Sequence, residues 1–179
     1  MAANGSPQAR GFVVWLTGLS GAGKSSLAQE LCLYYRHQGR LVEHLDGDDI
    51  RAIFPAGFLR EERNEHIRRV GFMASLLERN GVIVVASFIS PYREARLDVR
   101  RMCKRFIEVY VNTSLEECER RDVKGLYRRA RAGEIKNFTG LDDPYEVPDQ
   151  PEIVIATDGA TLQESFLDLK DKIAKLSLL

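Results

Sequence analysis

The sequence predicts an α/β fold, in which a five-stranded parallel sheet carries helices on both faces. Short apolar runs rich in β-branched residues alternate with longer segments of helical periodicity along the 179-residue chain. This alternation is the pattern of strands joined by helical crossovers. One run, "VIVVASF" at 82–88, is apolar without interruption, as expected for a strand that a parallel sheet buries on both sides.

Five strands and five helices follow from these patterns in chain order. The predicted strands lie at 12–17, 40–45, 82–88, 105–112 and 152–157, and the predicted helices at 25–39, 61–81, 92–103, 115–122 and from 161 onward. Gly39 can end the first helix with a left-handed cap. The pairs Ser114–Glu117 and Thr161–Glu164 have the spacing of capping boxes. The last helix carries an apolar seam of Leu162, Phe166, Leu169, Ile173 and Leu176.

Length and composition indicate one globular domain. With 44% hydrophobic and 29% charged residues, the chain can bury a substantial core. We expect a domain at 11–179 and a disordered tail at 1–10, which lacks the apolar core of a signal peptide. The formal net charge of zero argues against nucleic-acid binding by bulk electrostatics. No apolar run reaches transmembrane length. We therefore expect a cytoplasmic protein with no membrane partner, whose three cysteines are buried thiols.

The stretch "GLSGAGKSS" at 18–26 matches the phosphate-binding pattern G-x-x-x-x-G-K-[ST]. It follows the first predicted strand and begins the first predicted helix, as the pattern requires. Backbone N–H groups at a helix N-terminus bind phosphate oxygens, and Lys24 would reach the β- and γ-phosphates while Ser25 would ligate Mg²⁺. The predicted ATP-binding residues of this loop are Gly18, Leu19, Ser20, Gly21, Ala22, Gly23, Lys24, Ser25 and Ser26.

Polar residues follow the next two strands, at the edge where a parallel sheet binds its ligands. Asp46 and Asp48 of "DGDDIR" can hold a metal or take a proton from an attacking hydroxyl, although a turn with solvated acids has the same sequence. After the third strand, Ser87 and Ser90 precede Pro91, which can start the next helix. No N-K-x-D motif follows a late strand, which argues against a switch GTPase.

Two further segments bear on the site. "GFLREERNEHIRR" at 57–69 combines an aromatic ring with arginines, which are solvated on most helices but can stack a base and bind an anion beside a phosphate site. The segment at 124–150 is basic, then acidic and proline-rich, and it is long for a plain connection. We interpret it as a lid over the nucleotide, with a disordered loop as the alternative.

Five stretches occur in this order along the chain: "GLSGAGKSS", "LDGDDIR", "GF…R…IRRVG", "SFISPYR" and "RFIEVYVNTSLEECERRDVKGLYRRARAGEIKNFTGLDDPYE". Together they resemble the adenylylsulfate kinase (APS kinase) family of P-loop kinases, from about 11 to 155. The resemblance implies that ATP, with Mg²⁺, phosphorylates the 3′-hydroxyl of adenosine 5′-phosphosulfate (APS). The products are 3′-phosphoadenosine 5′-phosphosulfate and ADP. A homodimer in sulfate assimilation, functionally linked to ATP sulfurylase, is also implied.

The resemblance gives roles to individual positions. Asp46 and Asp48 match acids near the metal and the attacking hydroxyl, and with Ser25 they form the implied metal site. Ser90 matches a serine described in the family as a phosphoserine intermediate, so the implied catalytic residues are Lys24, Asp46, Asp48 and Ser90. We expect direct transfer instead, because the sequence places no base beside Ser90. The other implied contacts are Arg51, Phe58, Arg63, His66, Ile89, Ser90, Lys124, Leu126, Tyr127 and Phe138 for the substrates, and Arg121 for the ATP adenine.

Three positions depart from the family pattern. His66 replaces an Asn that contacts substrate, Phe72 replaces a Glu, and Asp49 replaces the Asn of "DGDN". A histidine can still donate a hydrogen bond, so APS remains the predicted acceptor. One alternative is a related P-loop small-molecule kinase with another nucleotide-derivative acceptor. A regulatory nucleotide-binding protein without turnover is another, and the catalytic acids argue against it.

Overall fold

The computed structural model describes residues 10–176, so the predicted tail lies outside the described residues except for its last position. The strands are β1 (Phe12–Thr17), β2 (Val42–Asp46), β3 (Ile83–Ser87), β4 (Phe106–Asn112) and β5 (Ile153–Ala156). The helices are α1 (Lys24–His37), α2 (Gly47–Ile53), α3 (Arg60–Arg79), α4 (Arg93–Met102), α5 (Leu115–Arg121), α6 (Leu126–Arg131) and α7 (Leu162–Lys175). The predicted α/β class is confirmed.

The five strands form one parallel sheet in the order β2-β3-β1-β4-β5. β1 is the central strand, and the chain crosses from one side of it to the other between β3 and β4. The pairing of β2 with β3 ends with Asp46 opposite Ser87, and that of β1 with β3 ends with Leu16 opposite Ser87. The polar residues that follow these strands therefore meet at one sheet edge, as the sequence predicts.

Two hydrophobic cores cover the two faces of the sheet. Along β1, successive side chains alternate between them: Phe12, Val14 and Leu16 face the core formed with α1 and α7, and Val13 and Trp15 face the core formed with α3 and α4. The three cysteines are buried free thiols within these cores, as predicted. No helix in the described part of the chain is long and apolar enough to span a membrane.

A glycine sets the distance between α3 and α4. A Cβ atom at Gly71 would lie 2.5 Å from Cγ2 of Val99, so a larger residue would force the two helices apart. Glycine within a helix costs about 1 kcal/mol relative to alanine. The close approach explains why this helix interior keeps it.

Two of the helices were not predicted, and a third does not start at Pro91 as predicted. The "DGDDIR" stretch is not only a turn, because it forms the helix α2, and the predicted lid contains the short helix α6. α4 begins at Arg93, two residues after Pro91, with Tyr92 as its N-cap. Pro91 therefore belongs to the loop before α4 and does not start the helix.

Two of the predicted caps form completely, and the third, at α5, makes only one of its two hydrogen bonds. Gly39, with φ of 72°, follows α1 and its N–H closes the last turn. Thr161 and Glu164 form a complete capping box. At α5, Ser114 accepts a hydrogen bond from the N–H of Glu117, but the Glu117 carboxylate binds two arginines of the same helix instead of returning to Ser114. The N–H of Ser114 donates to the Asp158 carboxylate, which takes the place of Glu117 in the box.

Candidate active site

The loop between β1 and α1 wraps a lysine in backbone carbonyls. Gly21 and Gly23 have φ of 78° and 96°, a region that other residues rarely adopt. A side chain at Gly18 would meet a β4 carbonyl at 2.6 Å. Lys24, only 8% exposed, donates from Nζ to the carbonyls of Gly18 (3.0 Å) and Leu19 (2.7 Å). The loop thus has a glycine-dependent conformation with the Lys24 ammonium enclosed by its carbonyls, and phosphate binding there stays a prediction.

Burial changes the protonation behaviour of Lys24. Its enclosure lowers the pKa of the ammonium from 10.5 to about 8, because a charged group loses hydration in the interior. Lys24 is thus mainly protonated at neutral pH, but less strongly than a surface lysine. An anionic phosphate beside it would restore favourable charge pairing.

Asp46 is the centre of a hydrogen-bond cluster at the end of β2. Its Oδ2 accepts from Ser25 Oγ (2.7 Å) and Ser87 Oγ (2.8 Å), and its Oδ1 accepts from the N–H of Asp48 (2.9 Å). Burial alone would raise the pKa of Asp46, but these hydrogen bonds outweigh it and hold the pKa below its ordinary value. His44 Nε2 lies 2.9 Å from Ser87 Oγ. His44 was not among the predicted site residues, although its spacing of two residues from Asp46 on a strand puts both side chains on one face.

The oxygen atoms of Ser25, Asp46 and Asp48 fit a magnesium ion. Hydroxyl and carboxylate oxygens suit this hard cation, which usually keeps waters and binds substrate phosphates as well. Ser25 and Asp46 are already aligned by their hydrogen bond, while the exposed Asp48 carboxylate pairs with Lys124. No cluster of three or more acidic, histidine or cysteine residues capable of holding a metal occurs between residues 10 and 176. The ion would therefore depend on phosphate oxygens and water.

The ring of Phe58 lies close to the guanidinium groups of two arginines. The guanidinium carbons of Arg51 and Arg63 are 5.2 and 5.5 Å from the centre of the Phe58 ring, and Phe58 is 53% exposed. Arg63 is buried and donates to the Phe58 carbonyl (2.9 Å), Thr139 Oγ1 (2.7 Å) and the Asn137 carbonyl (2.5 Å). Arg63 thus ties α3 to the predicted lid, a role that the sequence did not indicate.

His66 is an isolated polar side chain on α3. It is 5% exposed, its Nε2 is buried, and no hydrogen-bond partner for this atom exists among the described residues. Burial, reinforced by the positive charges of Arg51 and Arg69, lowers the pKa of His66 below its ordinary value. The ring is therefore neutral at physiological pH, and its Nε2 atom makes no hydrogen bond within the described fold.

Ser90 lies in the acceptor loop, residues 89–91, which follows β3. The indole N–H of Trp15 donates to Ser90 Oγ (3.1 Å), Ser90 Oγ donates to Thr17 Oγ1 (3.0 Å), and Thr17 donates to the Ile89 carbonyl (2.7 Å). This ordered chain directs the Ser90 proton toward a hydroxyl and not toward a base. It agrees with the expectation of direct transfer.

The predicted lid is attached to the P-loop near its start and to β1 near its end. Near its start, Tyr127 is 2% exposed and donates to the carbonyl of Ser20 (3.0 Å), and its ring packs edge-on against Phe138 at 5.0 Å. Near its end, the Tyr145 hydroxyl lies 2.9 Å from Thr17 Oγ1. Residues 128–137 between these anchors are mostly exposed.

One cleft of about 270 Å³ joins most of these groups. Its lining includes the predicted residues Ser20, Gly21, Gly23, Lys24, Ser25, Ser26, Asp46, Asp48, Arg51, Arg63, His66, Ile89, Ser90, Lys124, Leu126 and Tyr127. The predicted residues that lie outside this lining are Gly18, Leu19, Ala22, Phe58, Arg121 and Phe138. Arg121 illustrates the reason: its guanidinium is held behind the P-loop by the Thr157 carbonyl at 2.7 Å.

A P-loop after β1, a carboxylate at the end of β2 and a second polar half-site within the same cleft define a P-loop kinase of small molecules. The family model described as adenylylsulphate kinase matches residues 10–156. The chain belongs to the adenylylsulfate kinase family.

Curated relatives and solved structures agree with this assignment. The chain is 54% identical over 169 residues to an adenylyl-sulfate kinase of Picosynechococcus sp., covering 93% of this chain and 96% of the relative. It is also 54% identical over 169 residues to one of Microcystis aeruginosa, covering 93% of each. A solved APS kinase of Mycobacterium tuberculosis, in complex with AMPPNP and APS, superimposes with a TM-score of 0.87 at 39% identity, covering 93% of this chain and 99% of that one.

Proposed function

We propose that this chain transfers the γ-phosphate of ATP to the 3′-hydroxyl of APS. The observation that carries the proposal is the single cleft in which Lys24, Ser25 and Asp46 face Arg51, Arg63 and His66. A nucleoside triphosphate would occupy the P-loop half, and an anionic nucleotide would occupy the arginine half. The family membership of the chain and the APS-bound solved relative support this acceptor.

The proposed residues act mainly by charge and position. The acceptor hydroxyl attacks the γ-phosphorus while the bond to the β,γ-bridging oxygen breaks and ADP leaves, in a transition state that needs charge stabilisation more than covalent help. Lys24 neutralises charge on the β- and γ-phosphates. Asp48, whose exposed carboxylate pairs with Lys124, would take the hydroxyl proton.

Magnesium completes the proposed cofactor set. When bound, the ion would neutralise phosphate charge, with Ser25 and Asp46 as its protein ligands and Asp48 nearby. The low pKa of Asp46 keeps that carboxylate ionised and available. The hydrogen bond between Asp46 and Ser87 fixes the direction of its oxygens.

The acceptor assignment is tested by measuring ADP release with APS, AMP and simple sugars as competing acceptors. The expected result is turnover with APS far above the others, and its loss in Lys24→Ala. The second candidate function is a related kinase with another nucleotide-derivative acceptor. His66 favours it, because its unpartnered nitrogen stands where the family has Asn. Faster turnover with another nucleotide than with APS would support that candidate.

The segment at 124–150 is proposed to close over bound nucleotides. Its exposed part carries Arg128, Arg129 and Arg131, which a protease such as trypsin can cut. Closure would exclude water and suppress ATP hydrolysis. Slower cleavage at these arginines with AMPPNP and APS than without them is expected, and equal cleavage would contradict closure.

The cellular setting remains part of the same proposal. A cytoplasmic homodimer that receives its acceptor from an ATP sulfurylase would fit a sulfate-assimilating kinase. Light scattering coupled to size exclusion measures the oligomer directly, and a monomeric mass at working concentrations would contradict the dimer.

A further inference from the structure

Arg96, on the first turn of α4, is almost fully enclosed at 2% exposure, and it lies outside the lining of the cleft. Its guanidinium reaches three separate parts of the chain. Nη1 donates to the Ser90 carbonyl (2.6 Å), Nη2 to the Glu146 carbonyl (2.6 Å) and Nε to the Glu108 carboxylate (2.8 Å). A buried charge is tolerated only when its neighbours satisfy it. One cation therefore joins the acceptor loop, the sheet and the lid stem, residues 145–146.

The charge of Arg96 is balanced through a chain of ion pairs. Glu108 also contacts Arg100 at 3.3 Å, and Arg100 makes two hydrogen bonds with Glu152, at 2.6 and 2.8 Å. Glu152 in turn accepts the backbone N–H of Glu108 at 2.7 Å. Two guanidiniums alternate with two carboxylates. Of the two arginines, Arg96 alone has hydrogen bonds to the acceptor loop and the lid stem.

Each backbone carbonyl of the acceptor loop accepts a hydrogen bond from another part of the chain. The Ile89 carbonyl accepts from Thr17 (2.7 Å), the Ser90 carbonyl from Arg96, and the Pro91 carbonyl from the N–H of Glu146 (2.8 Å). Ser90 has φ of 38°, which is unfavourable for a residue other than glycine and persists only where the surroundings enforce it. Arg96 binds the carbonyl of this strained residue, so it supplies the enforcing contact from outside the cleft.

We propose that Arg96 is a positioning residue that locks the acceptor loop to the lid stem and thereby sets acceptor affinity without touching either substrate. The inference rests on the proposed function in one respect: it takes the loop containing Ile89 and Ser90 as part of the acceptor site. The P-loop has no hydrogen bond to Arg96, so ATP binding depends on it little.

The test compares Arg96→Met with Arg100→Met. Both variants remove one cation from the same ion-pair chain, but only the first removes the contacts to Ser90 and Glu146. We expect Arg96→Met to raise the KM for APS by about tenfold or more, the scale of one lost hydrogen bond to a charged group. Its KM for ATP should stay within about twofold, and Arg100→Met should leave both constants within about twofold.

A second readout does not depend on the acceptor. Trp15 is the one tryptophan of the chain, and its indole N–H is bonded to Ser90. A shift of the acceptor loop changes that contact, so Arg96→Met should alter the Trp15 emission of the unliganded protein while Arg100→Met preserves it. If the unsubstituted chain failed to use APS, the proposed function would be rejected. The comparison of Trp15 emission would still test whether Arg96 positions the acceptor loop.

Arg96→Met leaves Glu108 with one counter-charge fewer, so the double variant Arg96→Met/Glu108→Gln is measured beside it. Removing both members of a buried pair is tolerated better than removing one. The proposal requires the double variant to show the same loss of APS affinity and the same Trp15 change. Equal KM values and equal emission in Arg96→Met and Arg100→Met, with APS turnover intact in the unsubstituted chain, would overturn it.

Discussion

Ser25 Oγ donates to Asp46 Oδ2 across 2.7 Å, which joins the first turn of α1 to the end of β2. The two residues come from motifs that are 21 positions apart, and their pairing places a hydroxyl beside an ionised carboxylate. A magnesium ion that bound there would meet ligands that are already oriented. Second partners of this kind, here Ser87 and the N–H of Asp48, are what fix a ligand carboxylate.

Asp46→Asn should slow transfer while the acceptor stays bound. The neutral amide keeps the size of the side chain but loses the charge that would hold the metal, so we expect kcat to fall by about 10²-fold or more with little change in the KM for APS. Asp49→Asn is the matched control, because Asp49 is an exposed acid on α2, the helix that Asp46 caps. Initial rates over a magnesium titration measure both. A normal kcat in Asp46→Asn would remove this residue from the metal site.

Lys24→Ala should reduce turnover by at least about 10²-fold, the scale of a lost key electrostatic donor. The same variant tests the pKa of Lys24. Between about 8 and 10.5 Lys24 holds its proton more firmly in the unfolded chain than in the folded chain, so this residue contributes stability that rises with pH across this window. The thermal midpoint of the unsubstituted protein, measured relative to that of Lys24→Ala, should therefore rise between these pH values. Near-normal turnover in Lys24→Ala would contradict the P-loop assignment.

Arg63→Ala should weaken the acceptor and spare ATP. A hydrogen bond to a charged group is worth about 10- to 150-fold in binding, so the KM for APS should rise on that scale. Because Arg63 also holds Asn137 and Thr139, tryptic cleavage of the 128–137 stretch should become faster. Arg69→Ala, on the exposed side of the same helix, serves as the control. A raised KM for ATP with an unchanged KM for APS would mean that the acceptor pocket is misplaced.

Ser90 should carry no phosphate during turnover. Its hydroxyl proton is engaged by Thr17, and a serine nucleophile needs an adjacent base. Intact-mass spectrometry after mixing with ATP in the absence of acceptor gives the answer. A stoichiometric phosphate on Ser90 would refute direct transfer.

His66→Asn should make the protein less sensitive to acid. The folded state holds the pKa of His66 below its ordinary value of 6.5, so the unfolded chain binds a proton first as pH falls and stability is lost below about 6.5. The variant removes that contribution. Thermal midpoints from about pH 7.5 to about pH 5.5 measure the difference. Equal acid sensitivity of His66→Asn and the unsubstituted chain would contradict it.

Local patterns were enough to predict most of the fold and the nucleotide half of the site. The strands, the P-loop and the acids after β2 are short-range features, and the parallel sheet then requires them to meet at one edge. Long-range side-chain pairs could not be predicted from the sequence. Arg63 binds Thr139 across 76 positions, and Trp15 binds Ser90 across 75. Such pairs depend on how the elements pack in three dimensions, which no local spacing encodes.

The two tyrosine anchors of the 124–150 segment have a consequence for protein engineering. Tyr127 and Tyr145 fix the segment to β1 and its loop independently of the tip between them. The entropic cost of closing a flexible loop grows only slowly with its length, by about 0.6 kcal/mol for each doubling. A short peptide tag or a fluorophore-bearing insert at 132–134, where all three residues are exposed, should therefore leave the fold intact. It would turn the proposed closure of this segment into an optical signal.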